Sequence, residues 1–435
     1  MTIVGTRFVV LGNYERCALG MPELPFAVVP YPMGGVPTDE AQRRAIAVLD
    51  EIVSGLTVQP AVSSTSAKAK TKKGYNATLT LDDNSFDGVN RHFIEQRWGD
   101  GLPVVPPSAD RVAAMLRYSD LAPNRVLGKM GPSWNLATVH HVAVNAVMAG
   151  CRPEYFPVVL AGIEAILDPA FNLYGVQGTT NPAGVMLLVN GPIARELDIN
   201  GGHNLFGQGW YANGTIGRAV RLCMMNIGGG LPGVGDMSTL GNPNKWGSCI
   251  AENEAASPWT PFHVERGFAL DTSTVTAVAT AAPQNVIELS ADPIAILDSL
   301  ARAMFSSGSN CVYFDHQPMV VLSPVQATHV AGAGFDKPAI RKYLWEHGRM
   351  DFKGFPPTSD KAIREWKAKC LRVENGKEIL YPTRTQDDIG VIVAGGDSGP
   401  HSAVLATFNG TQLITRAITR ADGAPVKSVQ EFVTK

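Results

Sequence analysis

Residues 59–76, QPAVSSTSAKAKTKKGYN, split the chain into two very unequal parts. The stretch combines small polar residues with Lys68, Lys70, Lys72 and Lys73 and carries no apolar periodicity, so it reads as a solvated tether. A patch for nucleic acid or another anion is the alternative, but no aromatic residue interleaves the lysines. The part before the tether is about sixty residues long, which is too few to build a good core alone. That segment is therefore expected to dock on something else. The expected class is α/β (or α+β). It comprises a partial α/β segment over 1–57, a flexible linker over 58–85 and a larger mixed α/β body. Within the body, 86–280 reads as helix-rich with glycine-rich loops, and 281–435 as an α/β part ending in a β-hairpin.

Charged residues make up 17% of the 435, against roughly 25% in an average soluble protein. The deficit implies surface buried against other subunits. A net charge of −2 and a pI near 6.5 argue against a generally basic nucleic-acid binder. The longest uncharged run, 169–194, is broken by Gly175, Gly178, Pro182, Gly184, Gly191 and Pro192, so no membrane helix is expected there. The apolar patch near the N-terminus is too short for a signal peptide. Cys17, Cys151, Cys223, Cys249, Cys311 and Cys370 are scattered with no C-x-x-C pair, which points to reduced thiols in the cytoplasm.

Phe8–Leu11 and Phe26–Val29 read as strands, followed by a helix that Thr38 is placed to cap. In the body, Val112–Tyr118, Leu136–Cys151, Pro153–Leu167 and Thr215–Asn226 read as helices, and Val185–Val189 as a buried strand. Val286–Leu289, Val312–Phe314, Met319–Leu322 and Gly390–Val393 read as strands. Pro293–Phe305, Asp336–His347 and Lys361–Arg372 read as helices. Ala403–Phe408 and Thr411–Ile418 flank Asn409-Gly410, the signature of a hairpin.

Four places carry residues suited to chemistry. In GQGWYANGTIGRA (207–219), glycines precede an expected helix start with Arg218 in its first turn. Arg218 and Asn213 would there bind an anionic group of a small substrate. In KWGSCIAENEAASPWTPFH (245–263), Glu252 and Glu254 would share a strand face, with His263 returning toward them. That trio suits acid–base catalysis or a transition metal, and Cys249 is a candidate auxiliary thiol. The bland alternative is a loop whose glutamates pair with arginines. Cys311, Asp315 and His316 lie at an expected strand end, where α/β proteins place reactive groups, and His316 is a further metal-ligand candidate. AGGDSGPHS (394–402) reads as a glycine turn approaching a ligand, with His401 at its rim.

Residues 18–37, ALGMPELPFAVVPYPMGGVP, resemble the second half of the UGSC family of thiol and selenoproteins. The stretches ANGTIGRA (212–219), IAENEAASPW (250–259) and FDKPAIRKYLWEH (335–347) resemble larger, thioredoxin-labelled proteins of the same group. The family carries a selenocysteine- or cysteine-Gly-Ser-Cys motif after its first strand. No such motif occurs here, and Cys17 stands alone. The resemblance implies a homologous partner subunit that supplies the reactive thiol or selenol. The chain is thus expected to be one subunit of a hetero-oligomeric cytoplasmic enzyme that converts a small molecule by thiol-dependent redox or bond cleavage. A metal-dependent hydrolase, hydratase or lyase and a non-catalytic scaffold subunit are the rivals.

Overall fold

The computed structural model describes residues 1–57, 78–306 and 308–433. The expected tether, 59–76, lies outside them, and of the expected linker, 58–85, only 78–85 is described. The described chain is mixed α/β, built on two four-stranded sheets.

The first sheet runs in the order Ile414–Ala417, Thr274–Thr280, Gly184–Asn190, Ser248–Ala251. Only Gly184–Asn190 and Ser248–Ala251 are parallel within it. The second runs Gly390–Val393, Met319–Leu322, His401–Leu405, Gln284–Ile287, with the first two parallel.

Side-chain alternation along these strands fixes the layering. Leu187, Val189, Cys249, Val275 and Ala277 face a core shared with the helices Val139–Ala149, Phe156–Ile166 and Tyr211–Asn226. Their neighbours Met186, Leu188, Ile250 and Val278 face a different core, which they share with Met319, Val321, Ile392, Ala403 and Leu405 of the second sheet. The outer face of that sheet, through Val320, Leu322, Val391 and Val393, packs against the helices Pro293–Met304, Pro324–Gly332 and Lys337–His347. The body is a helix–sheet–sheet–helix sandwich. Strands buried on both faces need uninterrupted apolar sequence, as in GVMLLVN and MVVL.

Several expectations are corrected. Phe8–Leu11 is not a strand: the strand is Thr2–Gly5, and Val9–Ala18 is a helix. That helix docks the first segment on the body, because Glu15 accepts hydrogen bonds from the Trp134 indole (3.3 Å) and the Tyr174 hydroxyl (2.9 Å). Thr38 begins its helix rather than capping it. Leu136 belongs to a strand, Asn135–Thr138, and the helix starts at Val139. Val312 lies in a short helix, Asn310–Tyr313. The expected helix Lys361–Arg372 is Pro357–Trp366, and Leu371–Glu374 is a strand.

The closing hairpin does not form. His401–Leu405 pairs in the second sheet and Ile414–Ala417 in the first, so the chain around Asn409-Gly410 crosses between sheets instead of reversing within one. Ile414–Ala417 also returns to pair with Thr274–Thr280, so the body is interleaved across the 280/281 boundary.

Among the described residues no single helix is long and apolar enough to cross a membrane. One bent pair, Pro153–Ile166 with Pro169–Gly178 at 74°, passes on length and composition together. Its first member is buried almost throughout in the helix-side core.

Candidate functional site

The parallel strands Gly184–Asn190 and Ser248–Ala251 end side by side. Asn190 closes the first, and Gly191 turns the chain away at φ +86°, where a Cβ would lie 2.7 Å from the Thr272 carbonyl oxygen. Glu252 follows the second strand directly, and Glu254 opens a short 3-10 turn. The two glutamates therefore do not share a strand face. They meet instead on the Asn190 side-chain amide, which donates to Glu252 Oε2 at 2.6 Å and Glu254 Oε1 at 3.0 Å.

Both carboxylates have further partners. Glu252 accepts from the Phe262 amide at 2.7 Å and from Lys337 Nζ at 3.4 Å. Burial pushes its carboxyl above the usual range, outweighing the pull of Lys337 and of both hydrogen bonds. Glu254 accepts from the Gly191 amide at 2.7 Å and from Arg195 at 3.3 Å. His263 is fully buried, with Nδ1 3.7 Å from Glu254 Oε1 and Nε2 3.4 Å from the Leu270 carbonyl oxygen. Lys337, 2% exposed, also donates to Glu265 at 3.0 Å.

This cluster closes over the seam between the two sheets. Lys337 opens the helix on the outer face of the second sheet, and Glu252 leaves the end of the first. Beside them the Asn253 amide donates to the Val393 carbonyl (2.8 Å), and the Gly395 amide donates to that of Gly201 (2.8 Å). The structure thus brings Glu252, Glu254 and His263 together, in a setting that clasps two layers.

The other candidates lie elsewhere. Cys249 points to the opposite side of its strand, into the helix-side core, and burial pushes its thiol far above the ordinary range. Asn213 is buried and fully engaged: it accepts from the Asn200 amide (2.8 Å) and donates to the carbonyls of Asn200 (3.0 Å) and Cys249 (2.9 Å). Arg218 is not in a first turn, because its helix begins at Tyr211. Its guanidinium grips Asp100 in a fork at 2.7 and 2.8 Å and also donates to the Leu102 and Pro103 carbonyls. His401 is exposed and faces Asn285 Oδ1 at 3.1 Å.

His316 is 3% exposed, with Nδ1 2.8 Å from the Thr407 hydroxyl oxygen. Among the described residues no group of three His, Cys, Asp or Glu is arranged to hold a metal ion. The proposed ligand set Glu252, Glu254, His263 and His316 does not assemble as one.

Burial holds the His316 imidazole well below its ordinary range, so it is neutral in the native state. The unfolded chain protonates it near pH 6.5, and the native protein does not. Its contribution is thus fully present above about pH 6.5 and is lost as the pH falls below it, by up to about 1.4 kcal/mol per pH unit. Urea midpoints measured at pH 7 and about pH 5.5 are expected to fall less steeply in His316→Asn than in the parent. Equal slopes would show that another group carries the acid sensitivity.

Sequence reasoning missed Lys337 and Asn190. A lysine in the first turn of an amphipathic helix ordinarily reads as solvated, and an asparagine ending an apolar strand reads as a turn. It also missed His203 and Asp397, whose Nε2–Oδ1 distance is 3.0 Å with both side chains exposed.

The UGSC family model matches residues 1–58. The chain therefore carries a UGSC-type segment at its start, with the large sandwich beyond the match. No curated protein and no solved structure matches the chain.

Proposed function

We propose that this chain is one subunit of a hetero-oligomeric cytoplasmic enzyme that converts a small molecule by thiol-dependent redox or bond cleavage. A UGSC-type partner chain supplies the reactive thiol or selenol. One observation carries the reading. Among the described residues the UGSC-type segment has two paired strands, Thr2–Gly5 and Phe26–Val29, and leaves several large apolar side chains exposed. A two-stranded sheet is marginal by itself. Leu49, Val53 and Leu56 recur along one helix at 50–69% exposure, with Ile46, Ile3 and Val10 also outside. An apolar stripe at that spacing is what a second helix packs against.

Five of the six thiols, all but the exposed Cys17, agree with an external nucleophile. Burial raises Cys151 to about 12 and Cys311 and Cys370 to about 11, and raises Cys223 and Cys249 further. These five are protonated near neutral pH and are poor nucleophiles. All six cysteines are free, in keeping with a reducing compartment.

The test is affinity purification of the tagged full chain from its native cell. The expected result is a second, related chain in stoichiometric amount, lost in Val53→Asp with the parent's circular dichroism retained. Recovery as a monomer that is active alone would overturn the proposal. Activity that needs the partner yet survives Glu252→Gln and Glu254→Gln would favour the scaffold reading. That reading is supported by the engagement of both carboxylates in the clasp.

A further inference from the structure

Beyond the short helix Pro192–Glu196, which carries Arg195 of the clasp, lies a cleft of ≈ 320 Å³, a size that suits a small-molecule ligand. It opens between the turn at Arg152–Tyr155, the turn after Glu196, the start of the helix Tyr211–Asn226 and the C-terminal turn at Val429. Its floor is apolar, formed by Leu197, Ala212 and Val429, all at least nine-tenths buried.

A tyrosine with a buried ring lines this space, and its hydroxyl is left to the cleft. Tyr155 is 3% exposed and lines the cleft, and its hydroxyl makes no hydrogen bond among the described residues. Arg152 and Glu154 line the same cleft beside it.

The rim carries unpaired charge of both signs. Arg152 lies over the Tyr211 ring, 5.2 Å from its centroid, and forms no ion pair among the described residues. Glu154 and Asp198 likewise accept no hydrogen bond and join no ion pair there. Glu196 differs, because it accepts from the Ser428 hydroxyl (2.7 Å) and the Val429 amide (3.1 Å). Glu196 keeps its negative charge, so carboxylates outnumber the single guanidinium at this rim, which suits a ligand with two ammonium groups and one carboxylate.

We propose that this cleft binds a small zwitterion of the diamino-acid type. Its carboxylate meets Arg152, its ammonium groups meet Glu154 and Asp198, and the Tyr155 hydroxyl hydrogen-bonds to it. The proposal stands apart from the UGSC-type segment and its partner.

Isothermal titration of the full chain with L-lysine, putrescine and glutarate tests it. Lysine is expected to bind saturably at one site. Putrescine lacks the carboxylate and glutarate lacks the ammonium groups, so each is expected to bind about tenfold more weakly or worse, the cost of one charge-assisted hydrogen bond. Arg152→Gln and Tyr155→Phe are each expected to weaken lysine about five- to tenfold while leaving the thermal midpoint in place. Asp198→Asn is expected to act likewise, and asparagine suits the φ of +53° at that position. The proposal is overturned if lysine gives no saturable heat, if putrescine or glutarate binds as tightly, or if folded variants bind lysine unchanged. The ligand comparison on the parent protein stands even where a variant fails to fold.

Discussion

Lys337→Met is expected to destabilise the protein by about 3–5 kcal/mol, the usual cost of removing one partner from a buried ion pair. The ammonium is almost fully buried between Glu252 and Glu265. Taking it away leaves Glu252 with no cation beside it and a side chain at 0% exposure. Glu252 then either ionises unpaired or takes up a proton, and each alternative costs stability. Glu252→Gln keeps the shape and the Phe262 contact and removes the charge. Lys337→Met combined with Glu252→Gln is therefore expected to lose less than the two single changes added together. Urea denaturation of the parent, both single variants and the double variant measures this. A loss below about 1 kcal/mol in Lys337→Met would mean that the clasp contributes little.

The second large effect is expected at Gly217, with Gly214 on the same helix as its control. A Cβ at Gly217 would lie 2.4 Å from the Ser248 backbone nitrogen and 2.7 Å from the Gly247 carbonyl carbon. Backbone at the entry of the strand Ser248–Ala251, hydrogen-bonded into the first sheet, cannot step aside as a flexible side chain can. Alanine gains about 1 kcal/mol over glycine in a helix interior, but overpacking of this kind costs about 1–3 kcal/mol and occasionally more. Gly217→Ala is expected to lose about 2 kcal/mol net, and Gly217→Val more. At Gly214 a Cβ meets nothing within 4 Å. Gly214→Ala is expected to gain about 0.5–1 kcal/mol. Thermal midpoints shifting in opposite directions would confirm the pair. A stable Gly217→Val would show that the helix can lift off the strand.

These two glycines show how far the motif GQGWYANGTIGRA can be read. As a string it offers glycines before a helix and a guanidinium, the ingredients of an anion site. In the fold the helix has already started at Tyr211, Gly217 is there for close approach to a strand, and Arg218 is spent on Asp100. The acidic stretch was better legible. The density of Glu252, Glu254 and His263 did mark a place where side chains converge. The common partner of the two glutamates, Asn190, lies 62 residues from Glu252 in the chain, and Lys337 lies 85 residues away. Local spacing cannot show such partners.

What the amino-acid sequence determined by itself was local. Uninterrupted apolar, β-branched runs such as GVMLLVN, MVVL and GVIV can be little but buried strands. Pro293 and Pro338 stand in the first turns of amphipathic helices that begin where expected. The UGSC-type character of the first residues was likewise readable from their order. The tertiary structure decided which sheet each strand joins. It made a helix of Phe8–Leu11's neighbourhood by docking it on Trp134 and Tyr174, and it sent His401–Leu405 and Ile414–Ala417 to different sheets. The physical reason is that strand pairing and burial of charge are settled between residues far apart in the chain. Periodicity reports only which face of an element is apolar, not what will cover it.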